Sequence, residues 1–102
     1  MKDLKTSDLH VLDCTLRDGG YYNNWNFPQD LVNSYLISMA NSNIDIIEIG
    51  FRFMPKNSFM GPFAYSTDAY LSSLPLPKHS IIGVMINAKE ILNYKDGITD
   101  AI

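Results

Sequence analysis

Apolar positions along this chain gather into three short runs, set apart by one long helical stripe and by loops rich in glycine, proline and asparagine. The first run, "LHVLDCTL" from Leu9 to Leu16, favours β-structure and is closed by "RDGG", which predicts a buried strand running into a glycine loop. Strand alternation places Leu12, Cys14 and Leu16 on one face and Asp13, Thr15 and Arg17 on the other. After a loop of asparagines and aromatics, Asn26, Pro28 and Asp30 supply a cap, a first-turn proline and a first-turn acid for a helix. Within it Leu31, Tyr35 and Met39 lie four apart, as do Val32, Leu36 and Ala40, so "DLVNSYLISMA" carries one broad apolar stripe that ends near "NSN".

The second run, "IDIIEIGF" from Ile44 to Phe51, is nearly continuous and branched, as in a strand covered on both faces of a parallel sheet. A loop with Pro55, Gly61 and Pro62 leads to a short helical piece in "STDAYLSSL", stopped by Pro75 and Pro77. The third strand is "SIIGVMIN", and "AKEILNYKDG" forms the last helical turns before Gly97. The order βαβαβα implies an α/β fold of parallel strands joined by right-handed crossovers, with helices outside.

Composition narrows the function classes. The 102 residues are 46% hydrophobic and 19% charged, the balance of a single globular domain. Eleven acidic residues against eight basic ones, without a Lys/Arg cluster, give no footprint for nucleic acid or an anionic membrane surface. The longest apolar runs fall far short of the roughly 20 residues that span a bilayer, and "MKDLKTSDLH" lacks a signal-peptide core, so a cytoplasmic location is expected. Cys14 stands alone, which excludes an internal disulfide and a cysteine-type zinc site and reads as a small core residue.

In a βα array, ligands sit beyond the carboxyl ends of the strands. That rule gathers Arg17 and Asp18, Gly50 and Arg52, and Asn87 at one rim, with Glu48 just inside. Asp18 is a hard oxygen ligand suited to a divalent cation, and Gly19 and Gly20 let backbone and substrate approach closely. Without its neighbours, "RDGG" reads first as a polar turn, Asp-Gly being among the commonest turn signals. Glu48, inside an apolar strand, needs a cation or a full set of donors, and Arg17 is its expected partner, whether for catalysis or only for the sheet. His10 and His79 lie at the amino ends of their strands, roughly 20 Å from the rim, and are expected to be surface residues.

Together, "LDCTLRDGG" and "DIIEIGFR" resemble the metal-dependent aldolases and lyases called DRE-TIM metallolyases, most closely 4-hydroxy-2-oxovalerate aldolase-like proteins. The resemblance implies a TIM (β/α)8 barrel that makes or breaks a carbon–carbon bond beside a carbonyl through a metal-bound enolate. It makes Asp18 a ligand to Mn²⁺ or Mg²⁺, Arg17 the cation that steadies the enolate oxygen, and Glu48 the acid supporting that arginine. Gly19, Gly20, Arg52 and Asn87 fall to substrate binding, with supporting roles for Asp13 and Thr15. Two departures stand out. Tyr21 occupies the position where the aldolases carry a histidine base, and a phenol suits proton donation or hydrogen bonding better than abstraction. The family's late His-x-His ligands have no counterpart here. A full barrel takes about 250 residues, so the chain reads as an amino-terminal part, one partial domain over residues 1–102 and inactive by itself.

A second reading from another class is a non-catalytic domain that binds a sugar or small molecule through "YYNNW", Tyr21 to Trp25, by stacking and amide hydrogen bonds. Under the first reading the partner is an oxo-acid substrate, and open edges at the first and third strands predict a homo-oligomer.

Overall fold

The computed structural model describes residues 9–92. Its order is β1 (Leu12–Asp13), α1 (Thr15–Gly19), a 3-10 turn (Gly20–Tyr22), α2 (Gln29–Ala40), β2 (Ile46–Phe51), α3 (Pro62–Tyr65), α4 (Asp68–Ser72), β3 (Ile81–Met85) and α5 (Ala88–Leu92). The three strands form one parallel sheet in the order β1-β2-β3. Sequential order with helical crossovers is the arrangement of a partial TIM barrel, since a doubly wound sheet reverses its strand order at the switch point. The α/β expectation therefore holds.

The core lies where α2 and α3 meet the sheet. Val32 and Leu36 of α2, Ile47 and Ile49 of β2, and Phe63 and Ala64 of α3 are all buried. The helical stripe is narrower than its spacing implies: Tyr35 and Met39 pack at its margin, while Leu31 and Ala40 face solvent. Pro28 is the residue before α2 rather than its first turn, Asn26 takes no capping role, and Asp30 does stand in the first turn. In β2 the register with β3 shifts between Glu48 and Gly50, so Ile49, Gly50 and Phe51 are buried in succession where plain alternation would expose one of them.

Two strands are shorter than expected. β3 spans Ile81–Met85 rather than Ser80 to Asn87, because Asn87 Oδ1 accepts from the backbone N–H groups of Lys89 (3.0 Å) and Glu90 (3.3 Å) and so opens α5. β1 keeps two residues of the expected eight. Asp13 accepts from the Thr15 backbone N–H (3.0 Å) and the Thr15 hydroxyl (3.1 Å), and this local bonding starts a helical turn at Thr15. Cys14 and Leu16 thus do not share a strand face with Leu12: Leu16 is buried, Cys14 partly buried, and Leu12 half-exposed. α3 has no counterpart in the sequence expectation, and the end of "AKEILNYKDG" and all of "ITDAI" lie outside the described residues.

Among the described residues β1 and β3 each pair with β2 alone. No helix among them is long and apolar enough to cross a membrane.

Candidate functional site

Arg17 and Asp18 stand just beyond the carboxyl end of β1, on α1 rather than on the strand. The expected ion pair forms nonetheless. Arg17 Nη2 donates to Glu48 Oε1 at 3.2 Å, with side-chain exposures of 22% and 17%. Glu48 is in register with Gly83 of β3, whose missing side chain leaves the space beside its stem open. One carboxylate oxygen thus meets one guanidinium nitrogen, while Arg17 Nε is buried with no hydrogen-bond partner among the described residues. This cation is neutralised on one edge and uncommitted on another, and such a group can take an anion without losing its anchor.

The turn bearing Arg17 is tied down at both ends. At its start, the Tyr35 hydroxyl of α2 donates to Asp13 Oδ1, the same carboxylate that caps Thr15. Burial first, then this hydrogen bond and the negative charge of Asp13, push the Tyr35 phenol far above its ordinary range. At its end, Trp25 Nε1 donates to the Arg17 carbonyl at 2.9 Å. Tyr21, 62% exposed, stands edge-on to the Trp25 ring at 4.9 Å and to Phe51 at 6.0 Å.

The other rim residues are more fully engaged. Arg52 Nη2 pairs with Asp68 Oδ1 at 2.5 Å and its Nε donates to the Ser66 carbonyl at 3.1 Å. Asn87 spends its side-chain oxygen on the start of α5. The space beside Gly20 is filled by the Trp25 ring, whereas Gly19 has only the Phe27 ring nearby, at ordinary contact distance. Lys56, an unforeseen contributor, pairs with Glu90 and lies over the Phe53 ring at 4.8 Å. His79 sits away from the rim, its Nε2 within 3.0 Å of the Ser42 carbonyl.

A metal fits this segment poorly by itself. Asp18 is exposed and offers one carboxylate, and no group of three or more His, Cys, Asp or Glu among the described residues could hold an ion. The stacking surface proposed for a sugar also fails at its largest member. Trp25 is 4% exposed, with its indole N–H already committed, because the ring occupies the space beside Gly20.

Sequence reasoning missed Tyr35, and it offered Trp25 only as a stacking surface for a sugar, not as a partner of Arg17. The pairing of Asp13 with Thr15 two residues on is a local capping signal, and it would have shown that β1 ends early. Nothing in the spacing of Trp25 marks it as a partner of Arg17.

No protein-family model matches the chain, and no curated protein does either. One solved structure is similar: "the N-terminal domain of a putative aldolase from Bacteroides vulgatus", 35% identical, with a TM-score of 0.76 over 92% of this chain and 33% of that one. The chain thus spans about a third of the length of that aldolase domain, and over that third the two share sequence and fold.

Proposed function

We propose that this chain is the amino-terminal portion of an aldolase or lyase that cleaves or forms a carbon–carbon bond in 4-hydroxy-2-oxo acids. The observation that carries the reading is Arg17, a guanidinium paired on one edge with Glu48 at the strand rim and left with a buried Nε that has no partner among the described residues. Similarity to an aldolase domain supports the same class.

In the cleavage direction, a base removes the proton from the C4 hydroxyl and the C3–C4 bond breaks, releasing an aldehyde. The bonding electrons pass to the 2-oxo group, giving an enolate that is then protonated at C3. In this reading Arg17 stabilises the charge that develops on the C2 oxygen, the kind of interaction that usually contributes most to catalysis. Glu48 anchors the guanidinium through Nη2 and leaves Nε free of that contact. Tyr21, one helical turn beyond Arg17, is the candidate proton donor. Asp18 is the ligand this segment would contribute to a divalent cation, Mn²⁺ or Mg²⁺, the other ligands coming from other segments. The 102-residue chain alone is expected to be inactive, and self-association through the β1 and β3 edges is its expected state. A monodisperse monomer by light scattering at high concentration would count against that association.

The test uses the complete product of the reading frame. Release of a 2-oxo acid from 4-hydroxy-2-oxo acids is measured for that product and for its Arg17→Ala and Asp18→Ala forms, with calorimetric Mn²⁺ titration beside each. Loss of turnover by about a thousandfold in Arg17→Ala supports the assignment. Metal binding that survives Asp18→Ala, or absence of any carbon–carbon cleavage, would refute it.

A further inference from the structure

We propose that Trp25 is a positioning residue for Arg17, holding the Arg17 carbonyl through its indole N–H and tying the Arg17 turn to the loop that follows β2. The inference rests on the reading of Arg17 given above.

Helix α1 is only five residues long, so its last carbonyls lack donors within the helix. The indole of Trp25 supplies one of them, 2.9 Å from the carbonyl of Arg17 itself. The ring reaches that position because Gly20 has no side chain: a Cβ there would lie 1.9 Å from Trp25 Cδ1 and 2.0 Å from Nε1. Around the indole, Phe51, Phe53 and Tyr21 all present ring edges or faces at centroid distances of 4.9 to 5.3 Å. Its orientation is therefore fixed by contacts on several sides.

The backbone of Trp25 reaches the opposite way. Asn24 and Trp25 have φ of 56° and 58°, left-handed values that non-glycine residues adopt only when their surroundings hold them there. The hold comes from the loop after β2. Gly61 N–H donates to the Asn24 carbonyl at 2.8 Å, and Phe63 N–H reaches the Trp25 carbonyl at 3.4 Å. A Cβ on Gly61 would lie 2.2 Å from that same carbonyl oxygen, so the two loops touch backbone to backbone. Trp25 thus couples the segment that carries Arg17 to the segment that leads into α3, and a shift in either displaces the other.

The test is nuclear magnetic resonance of the 102-residue chain, reading the Arg17 Nε–H signal. Trp25→Phe keeps a ring and removes the donor to the Arg17 carbonyl; with one ordinary hydrogen bond fewer the turn opens about tenfold more often, which is expected to shift the Nε–H signal and speed its exchange by the same factor. Val32→Ala, a core truncation away from the turn, is expected to leave the signal in place, which a purely structural role for Trp25 would not produce. Should Trp25→Phe fail to fold, chemical synthesis with a benzothiophene side chain at position 25, isosteric but lacking the N–H, gives the same comparison. An unchanged Arg17 signal in either form overturns the proposal. Oxalate, a planar analogue of an oxo-acid enolate, separates the two claims when titrated into the complete reading-frame product. If oxalate fails to bind while the Arg17 signal still moves, the aldolase reading falls and the positioning role stands. If oxalate binds equally well with and without the indole N–H and the signal is still, the aldolase reading stands and the positioning role falls.

Discussion

Arg17 and Arg52 stand just beyond two adjacent parallel strands with the same side-chain exposure, 22%, yet their surroundings differ. Arg17 faces Glu48, which is 17% exposed inside the sheet, whereas Arg52 faces Asp68, which is 90% exposed at the start of α4. The energy of an ion pair depends on what remains when one partner is removed. Without Arg17 a largely buried carboxylate loses its cation; without Arg52 water takes over Asp68. Equal exposure of two cations therefore conceals unequal commitment, and the arginine with the partly buried partner is the one the fold constrains.

The largest effect expected from this contrast is at Arg17→Met. Removal of the cation should lower stability by about 3 kcal/mol in urea denaturation at neutral pH, because Glu48 is left poorly hydrated and without its partner. Adding Glu48→Leu should recover most of that loss, since replacing a partly buried pair by apolar residues of similar volume is often neutral. If the double substitution is no more stable than Arg17→Met alone, the stranded carboxylate is not the cause and the contrast with Arg52 collapses.

The Arg17–Glu48 pair was legible in the sequence and its geometry was not. A glutamate within "IDIIEIGF" calls for a cation wherever that strand is buried, and Arg17 was the cation nearest the same rim. The local signal of Asp13 bonding to Thr15 was passed over, and what strand alternation could not convey is its consequence, that Arg17 reaches Glu48 from a helical turn and not from a neighbouring strand. The buried strand and the α2 stripe were readable because they depend on periodicity. The end of β3 was misread although its signal was present: asparagine followed three residues later by Glu90 is a helix-start pattern. Burial of Trp25 depends on Gly20 and Gly61, far apart in sequence, and no local pattern encodes it.

A smaller effect is expected at Tyr35, which fixes the start of the Arg17 turn through Asp13. Tyr35→Phe keeps the ring and removes the hydroxyl, and should cost about 1 kcal/mol at neutral pH. The pH dependence gives the sharper readout. Because the folded chain holds the phenol protonated well beyond its ordinary range, the contribution is fully present below the unfolded value of about 10 and is lost as pH rises above it. Urea midpoints taken from pH 8 to 11 should fall more steeply for the parent chain than for Tyr35→Phe. Tyr70 is shifted the same way by burial, so some alkaline slope should survive the substitution. Parallel slopes would mean that Tyr35 does not hold the turn through a protonated hydroxyl.

The smallest effect completes the comparison. Arg52→Ala breaks a pair whose acid is almost wholly hydrated, and exposed ion pairs contribute between nothing and about 1 kcal/mol. The side chain also donates to the Ser66 carbonyl, at a buried residue whose φ is 40°, so a part of the cost should be independent of salt. Raising the ionic strength to about 1 M shortens the screening length to about 3 Å and should remove the ionic part, bringing the parent and Arg52→Ala closer together. The same salt should hardly change the difference between the parent and Arg17→Met, because a pair withdrawn from water is screened much less. If salt erases both differences alike, Glu48 is as well hydrated as Asp68, and Arg17 loses the feature that sets it apart as the site's cation.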